Sequence, residues 1–334
     1  MSNLEGTSGL GDKNTTVADL RSALTSESVP LAKRFRALFS LKHVAAQDDG
    51  EQSYAALEAI AAAFTTPSAL LKHELAYCLG QTRNPKAVPF LRDVLGDYKE
   101  DPMVRHESAE ALGALGDEGS LETMRRMKDD INEPTVVRET CEIAIDRIQW
   151  ALSESSKSEN LKPSDFASID PAPPMASTAS KPDIPVLQRT LLDTSRPLFE
   201  RYRAMFALRD LASPPNAPTA EPAVEALASG FVDKSALFRH EIAFVFGQLS
   251  HPASIPALLK VLGDRTEESM VRHEAAEALG SLGDEPGVED RLKDFLNDSE
   301  QVVRDSVIVA LDMAEYEKNG EMEYAMIPEV TASA

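Results

Sequence analysis

The chain is poor in aromatic residues, cysteine and positive charge, and each shortage excludes a class of protein. Aromatic residues make up 6% of the 334 residues, while alanine and leucine fill most apolar positions. Because strands favour aromatic and β-branched side chains, this composition argues against a β-sandwich and favours packed helices. The length is sufficient for two ordinary domains.

Lysine and arginine are too few to balance the acidic residues, so the formal net charge is −21 and the isoelectric point is about 4.7. A chain this acidic repels phosphate backbones and anionic lipids. We therefore expect no nucleic-acid partner and no membrane partner. A cationic ligand or a basic protein would be attracted instead.

The two cysteines, Cys78 and Cys141, lie in apolar helical patterns and form no CxxC motif, so no disulfide framework is expected. The first residues contain no apolar run typical of a secretory signal. No stretch approaches the roughly 20 apolar residues needed to span a bilayer. We therefore expect a cytoplasmic protein, with the nucleus as an alternative compartment.

The sequence contains an internal duplication. Residues 73–117 align with residues 240–284 at a constant offset of 167, and 26 of the 45 positions are identical. Near the end of each copy the offset slips by one, where VVRE at 136–139 matches VVRD at 302–305. The two halves are therefore copies of one ancestral unit.

A shorter period lies inside each copy, because His73 and His106 are 33 residues apart, as are His240 and His273. A period of this size predicts helix-turn-helix units that stack into a solenoid. Glycines recur near the ends of the apolar helical stripes, where we expect them to relieve C-terminal turns. These glycines are Gly80, Gly113, Gly247 and Gly280.

Composition divides the chain into two arrays, a linker and two tails. The segment 153–185 is rich in Ser, Pro, Ala and Asp, which is typical of a flexible linker and would let the second array fold back onto the first. The predicted units are a disordered tail at 1–17, an array at 18–152, the linker at 153–185, an array at 186–318 and a disordered tail at 319–334.

Four of the six histidines are followed by glutamate, and all four pairs occupy equivalent repeat positions. The pairs are His73-Glu74, His106-Glu107, His240-Glu241 and His273-Glu274. One such dipeptide has no predictive value, but both pairs survived in both copies while many other positions changed. Each pair falls early in the second helix of its unit, so neighbouring pairs can converge on one ion. The remaining histidines, His43 and His251, have no histidine counterpart and are interpreted as surface or helix-end residues.

Imidazole and carboxylate together suit iron, manganese or zinc. Two histidines and one carboxylate per array match the facial triad that leaves positions open for oxygen on ferrous iron. Two arrays face to face would then hold two metals. Glu110 and Glu277 lie one turn beyond His106 and His273 and could accept the second imidazole N–H.

Arg105 and Arg272 precede two of the pairs, and the sequence leaves open whether they pair with the site carboxylates or lie on the helix surface. No strand precedes the segments LGALGD and LGSLGD, so they are not phosphate-binding loops. No GxSxG motif occurs, and neither cysteine recurs in the other copy.

The segments HELAYCLGQ, MVRHESAEALGALGD, HEIAFVFGQ and MVRHEAAEALGSLGD resemble the deoxyhypusine hydroxylase family over about residues 18–316. The resemblance implies an all-α fold, a HEAT-like helical-repeat solenoid in which two duplicated arrays face each other across a metal site. It also implies a di-iron monooxygenase that uses O2 to hydroxylate the deoxyhypusine side chain on the precursor of translation factor 5A.

By the same resemblance, two Fe(2+) ions are bound per chain, one by each array. The ligands it implies most directly are His73, His106, Glu107, His240, His273 and Glu274. Glu74 and Glu241 either bind iron as well or hold the amines of the substrate. No catalytic residue is expected beyond the metal ligands.

Two other functions remain open at this stage. A HEAT-repeat scaffold could grip a partner protein with the His-Glu pairs in a structural role. A metal-dependent hydrolase could use the same ligands for zinc. Metal analysis separates the three, because the scaffold would contain no metal.

Overall fold

A computed structural model of the chain describes residues 15–47, 50–159, 161, 164–176 and 183–318. Within these ranges the regular structure is entirely helical, which confirms the predicted fold class. None of the helices described is both long and apolar enough to cross a bilayer. The predicted tail at 319–334, and most of that at 1–17, lie outside the described residues.

Seventeen α-helices occur in the described ranges. They are α1 (Val17–Thr25), α2 (Leu31–Gln47), α3 (Glu51–Ala62), α4 (Ala69–Gln81), α5 (Val88–Gly96), α6 (Pro102–Ala114), α7 (Leu121–Asp129), α8 (Thr135–Leu152), α9 (Glu154–Ser158), α10 (Ile184–Leu192), α11 (Leu198–Ala212), α12 (Ala220–Ala228), α13 (Ala236–Leu249), α14 (Ile255–Gly263), α15 (Ser269–Gly280), α16 (Val288–Lys293) and α17 (Gln301–Lys318).

Apart from α9, the helices pair into eight repeat units, four in each array. The second helices of the units stack on one another, α2, α4, α6 and α8 in the first array and α11, α13, α15 and α17 in the second. The arrays meet at two junctions, where α17 packs on α2 and α4, and α8 packs on α11 and α13. The arrays thus close face to face around a pseudo-twofold axis, and each encloses its own hydrophobic core.

Serines at equivalent helix starts hold the two arrays together. The hydroxyls of Ser68 and Ser235 cap α4 and α13 by accepting hydrogen bonds from Leu71 N and Phe238 N. The same hydroxyls also donate across the interface, Ser68 to Asp305 at 3.3 Å and Ser235 to Glu139 at 2.7 Å. Asp305 and Glu139 occupy the repeat position that carries histidine in the inner units. Equivalent hydrogen bonds therefore join the two arrays at both junctions.

Three of the four recurrent glycines, Gly80, Gly113 and Gly280, serve close helix packing, which differs from the predicted role in C-terminal turns. A Cβ on Gly80 would lie 2.7 Å from the Cβ of Ala111, and one on Gly113 would lie 2.9 Å from that of Ala144. Such distances leave no room for a methyl group, so glycine is what allows α4, α6 and α8 to approach each other closely. This close packing brings the His-Glu pair of α4 next to that of α6.

Part of the segment between the arrays is more ordered than its composition predicts. Residues 164–176, called the strap from here on, lie across both arrays, and Ala172 is completely buried. Gln81 of α4 accepts a hydrogen bond from Ile169 N at 2.8 Å, and Gln248 of α13 donates one to Ser168 Oγ at 2.7 Å. These two glutamines are equivalent in the duplication, so the strap is held from both sides. The predicted boundaries of the arrays and linker stay a prediction.

Candidate metal centre

Four helices, α4, α6, α13 and α15, each carry a His-Glu pair, and in each the histidine is the fifth residue of the helix. The four pairs therefore lie at the same distance from the start of their helices, and they can meet at one level of the interface between the arrays. All eight side chains are buried or nearly so, between 0% and 8% exposed. Charged residues are rarely buried without a partner, so this concentration indicates a binding site.

The four imidazoles form one cluster across the array interface. The ring centroid of His73 lies 5.4 Å from that of His106, 5.7 Å from that of His240 and 5.2 Å from that of His273. The ring of His240 lies 5.4 Å from that of His106 and 5.3 Å from that of His273. The structure thus brings together the histidines that the sequence singles out, although their role as ligands stays a prediction.

The carboxylates of the later pair in each array lie against the imidazole of the earlier pair. Glu107 Oε2 lies 3.3 Å from His73 Nε2, and Glu274 Oε2 lies 3.3 Å from His240 Nε2, without hydrogen-bond geometry in either case. Glu74 is less close to a histidine, since its Oε1 is 4.0 Å from His73 Nδ1. Glu107 and Glu274 are therefore better placed than Glu74 to share an ion with an imidazole.

The buried polar atoms of the cluster lack hydrogen-bond partners. All eight ring nitrogens of the four histidines are buried and unpaired, and so are Glu74 Oε2 and Glu241 Oε1. Leaving one such atom unsatisfied costs about 1–3 kcal/mol, so ten of them at one place are not a plausible core. Metal ions would satisfy them, because imidazole nitrogen and carboxylate oxygen are both metal donors. The residues present therefore fit a metal site.

The protonation states of the metal-free cluster agree with this interpretation. Burial, followed by the charges of neighbouring glutamates, raises the pKa of Glu74 to about 8, and the same causes raise that of Glu107 to about 8. Burial, followed by the neighbouring His73, lowers the pKa of His240 to about 3. Burial thus favours neutral side chains, and a divalent cation would restore the carboxylates while leaving the imidazoles neutral.

Three overlapping sets of donors lie close enough to hold an ion, with the donor atoms in each set within 4.8 Å of one another. The sets are His73 with His106 and His240, His240 with His273 and Glu274, and His106 with Glu107 and Glu110. The first set contains residues of both arrays, so its geometry allows the two arrays to hold one ion together.

Glu110 and Glu277 differ although they are equivalent in sequence. Glu277 Oε1 lies 3.5 Å from His273 Nδ1 and accepts a hydrogen bond from Ser306 Oγ at 3.1 Å. This places Glu277 where an outer partner of His273 is predicted. For Glu110, by contrast, no hydrogen bond is found among the described residues, and Thr140, the counterpart of Ser306, donates to Val136 O instead.

Neither interpretation of the two arginines before the MVRHE pairs is correct. Arg105 is buried and forms two hydrogen bonds to Glu133, while Arg272 is buried and forms two to Asp298. Each arginine also donates from Nε to the carbonyl ten residues earlier. They tie each inner helix to the neighbouring units and leave the site carboxylates unpaired.

The strap forms part of the site's surroundings that the sequence analysis missed. Its Asp170 pairs with the fully buried guanidinium of Arg209 at 2.8 Å, and its Asp170 carbonyl accepts a hydrogen bond from Arg147 Nε at 3.2 Å. Beyond burial and neighbouring glutamates, the charge of Asp170 contributes to the raised pKa of Glu110 and Glu241. The strap therefore lies beside the His-Glu cluster. No pattern in the sequence marked it, because its order comes from contacts with residues far away in the chain.

Comparisons with known proteins agree with this geometry. A sequence profile of HEAT repeats matches residues 56–146 and 220–312. A deoxyhypusine hydroxylase of Aspergillus clavatus is 68% identical over 322 residues, which cover 96% of each chain. One of Neurospora crassa is 64% identical and covers 96% of this chain and 99% of its own. The chain belongs to the deoxyhypusine hydroxylase family.

A solved structure of this family supports the same fold. Human deoxyhypusine hydroxylase, solved in complex with glycerol, is 45% identical and superposes with a TM-score of 0.78. The match covers 90% of this chain and 96% of the human one. Because the match covers nearly all of both chains, the two arrays and the interface that carries the His-Glu pairs belong to the shared architecture.

Proposed function

We propose that this chain is a cytoplasmic deoxyhypusine monooxygenase that uses O2 to hydroxylate deoxyhypusine on the precursor of translation factor 5A. The observation that carries the proposal is the cluster of four buried histidines whose eight ring nitrogens have no hydrogen-bond partner. Membership of the family supplies the substrate, since the relatives are deoxyhypusine hydroxylases. A side chain with several ammonium groups also suits a protein with a net charge of −21.

Two iron ions are the metals we propose. His73, His106 and Glu107 would hold one, and His240, His273 and Glu274 the other, since each carboxylate lies 3.3 Å from an imidazole nitrogen of its own array. Ferrous iron with two imidazoles and a carboxylate keeps coordination positions open and supplies electrons for O2 reduction. One oxygen atom enters a C–H bond and the other leaves as water, with two electrons and two protons from an external reductant.

The chain's own residues have two further tasks. They exclude water from the centre, because the eight His and Glu side chains are at most 8% exposed. They also provide spare carboxylates, since one oxygen of Glu74 and one of Glu241 remain unpaired. We propose that Glu74 and Glu241 hold ammonium groups of the substrate.

The proposal is tested on freshly purified protein by metal analysis and by incubation with the deoxyhypusine form of the substrate protein, O2 and a reductant. Two irons per chain and a gain of one oxygen atom in the product, measured by mass spectrometry, are expected. Zinc without oxygen transfer would instead favour a metal-dependent hydrolase. Correctly folded protein that binds no metal would favour a scaffold.

The division of labour among the glutamates is tested with four matched variants. Glu107→Gln and Glu274→Gln should lose iron. Glu74→Gln and Glu241→Gln should keep iron but bind the substrate about tenfold to a hundredfold more weakly, because a charged hydrogen bond contributes about 1.5–3 kcal/mol. Equal loss of iron in all four variants would make every carboxylate a ligand.

A further inference from the structure

A groove opens on the surface beside the strap. It has a volume of about 480 Å³ and lies between the end of α6, the helix α8 and the strap. Ala114 and Leu115 form one wall, Arg83 and Arg147 contribute two cationic side chains, and residues 168–173 of the strap, apart from Pro171, form the rest.

A narrower crevice lies beside this groove. Arg147 lines both spaces, and Pro171 of the strap is part of the wall of the crevice. The crevice is too tight for a water molecule in this conformation, and its wall includes Glu110. A carboxylate oxygen of Glu110 lies within 4.8 Å of donor atoms of His106 and Glu107. Arg147 and the strap thus separate the surface groove from Glu110 and the His-Glu cluster.

The equivalent place in the second array is lined by different residues. The counterpart of Arg147 is Met313, whose Cε packs 3.0 Å from where a Cβ on Gly280 would lie. The counterpart of Glu110 is Glu277, which accepts a hydrogen bond from the hydroxyl of Ser306. Within the described residues, the strap lies on the side of Arg147 and Glu110.

Polar contacts hold the strap in place. Side chains of Gln81, Gln248 and Arg147 form hydrogen bonds with it, and Arg209 pairs with its Asp170. The hydrogen bonds of Gln81 and Gln248 contribute about 0.5–1.5 kcal/mol each, whereas breaking the pair of Asp170 with the buried Arg209 costs more, because it leaves a buried charge without a partner. Displacement of the strap therefore requires a substrate that forms several charged hydrogen bonds of its own.

We propose that the substrate enters under the strap, along the groove between α6 and α8. Glu110 then binds the ammonium group at the end of the substrate's extended side chain. This inference rests on the proposed function for the identity of the substrate. Glu110 suits the role because it lies at the inner end of the passage and has no hydrogen-bond partner among the described residues. Glu277 does not, since the hydroxyl of Ser306 already donates a hydrogen bond to it.

The passage is tested by blocking it. Ala114→Phe places a ring at the mouth of the groove, and Ser281→Phe makes the same change at the equivalent position of the second array. We expect Ala114→Phe to weaken the binding of a deoxyhypusine-containing peptide at least about tenfold, with bound iron unchanged. Ser281→Phe should bind the peptide within about twofold of the parent chain. Equal effects of the two variants, with melting temperatures preserved, would overturn the inference.

The movement of the strap is tested by fluorescence. Trp150 is the sole tryptophan of the chain, and its ring lies 5.4 Å from Arg147 and 5.8 Å from Arg203, which both bind carbonyls of the strap. Addition of the peptide should make Trp150 more accessible to acrylamide, also in metal-free protein. The double variant Gln81→Ala and Gln248→Ala should show that accessibility before peptide is added. An unchanged Trp150 signal in both experiments would contradict a moving strap.

The role of Glu110 is tested with Glu110→Gln, which should retain iron and weaken peptide binding. Loss of iron would make Glu110 a metal ligand and remove the inner end of the proposed passage. The outcomes also separate this inference from the proposed function. A parent chain that hydroxylates the substrate while all these variants bind normally refutes the passage alone, whereas a parent chain that transfers no oxygen refutes the proposed function.

Discussion

The two junctions between the arrays are built from equivalent residues but end up in different environments. At the first junction, Arg36 of α2 pairs with Asp312 of α17 at 2.6 Å and lies 4.5 Å from the ring centre of Tyr316. At the second junction, the counterpart Arg203 of α11 pairs with Glu159, which follows α9, and binds Pro173 O of the strap.

The difference teaches how a duplicated chain becomes asymmetric. Both copies supply an arginine and an aromatic ring at this position, because Trp150 is the counterpart of Tyr316. The strap, which belongs to the segment that joins the copies, lies at the second junction. Among the described residues, the His-Glu positions are therefore close to symmetric, while their surroundings are not. Equivalent substitutions in the two arrays test the His-Glu positions and their surroundings separately.

The largest expected effect tests the symmetric part. We predict that His106→Ala removes roughly half of the iron and lowers activity more than about 100-fold, since even outer partners of metal ligands affect affinity about 10- to 100-fold. His273→Ala should do the same, because the two histidines are equivalent and both have fully buried, unpaired nitrogens. Iron content by elemental analysis and turnover would be measured on both variants. Full iron retention in either variant would show that its histidine is not a ligand.

The site residues could be predicted from sequence because the duplication keeps a register. Once His73 and His106 are placed at equivalent positions of stacked helices, their approach follows from the spacing of neighbouring helices. The contact between arrays was also accessible, since the linker is long enough for the second array to fold back. What sequence could not give was the path of the strap. Its composition resembles a flexible linker, and its order comes from contacts with residues far away in sequence, such as Gln81 and Arg209.

The second prediction concerns the pH dependence of stability in the metal-free protein. Burial raises the pKa of Glu74 and Glu107 in the folded state to about 8, from an ordinary value near 4.5. The folded state then binds more protons than the unfolded state between these values, so stability falls as pH rises through this window. The slope approaches about 1.4 kcal/mol per pH unit for each proton.

The lowered pKa of His240 acts in the opposite direction at lower pH. Its stabilising contribution is present above the ordinary value of 6.5 and is lost as pH falls towards about 3. The window from pH 6.5 to 8 therefore isolates the glutamates. We expect the melting temperature of metal-free protein to fall across this window and that of iron-loaded protein to stay level. A metal-free protein whose melting temperature rises from pH 6.5 to 8 would contradict the buried, protonated glutamates.

A pair of glycines tests whether the two arrays are packed equally tightly. A Cβ on Gly80 would lie 2.7 Å from Ala111 Cβ, whereas one on its counterpart Gly247 would lie 3.5 Å from Ala278 Cβ. Gly80→Ala should therefore destabilise the protein by about 1–3 kcal/mol through overpacking. Gly247→Ala should be neutral or stabilise the helix by about 0.5–1 kcal/mol. Urea unfolding measures the free energy of unfolding of both variants. Equal losses of stability would show that a Cβ is accommodated equally at the two positions.

The smallest expected effect comes from the first junction, where the ion pair between Arg36 and Asp312 holds α2 to α17. Its side chains are 21% and 27% exposed, so solvent screens the pair. Partly exposed pairs contribute about 0.2–1 kcal/mol, and we expect that range for the coupling between Arg36→Gln and Asp312→Asn in a double-mutant cycle.

The second junction provides the matched comparison for this ion pair. Arg203→Gln removes the pairing with Glu159, the hydrogen bond to Pro173 O at 3.2 Å and the contact with Trp150. Because these contacts hold the connecting segment rather than α17, Arg203→Gln should change the fluorescence of Trp150, whereas Arg36→Gln should not. The coupling at the first junction should shrink at high salt, since exposed charges are screened. If Arg36→Gln instead altered the Trp150 signal as strongly as Arg203→Gln, the two junctions would be coupled, and the strap would not distinguish one from the other.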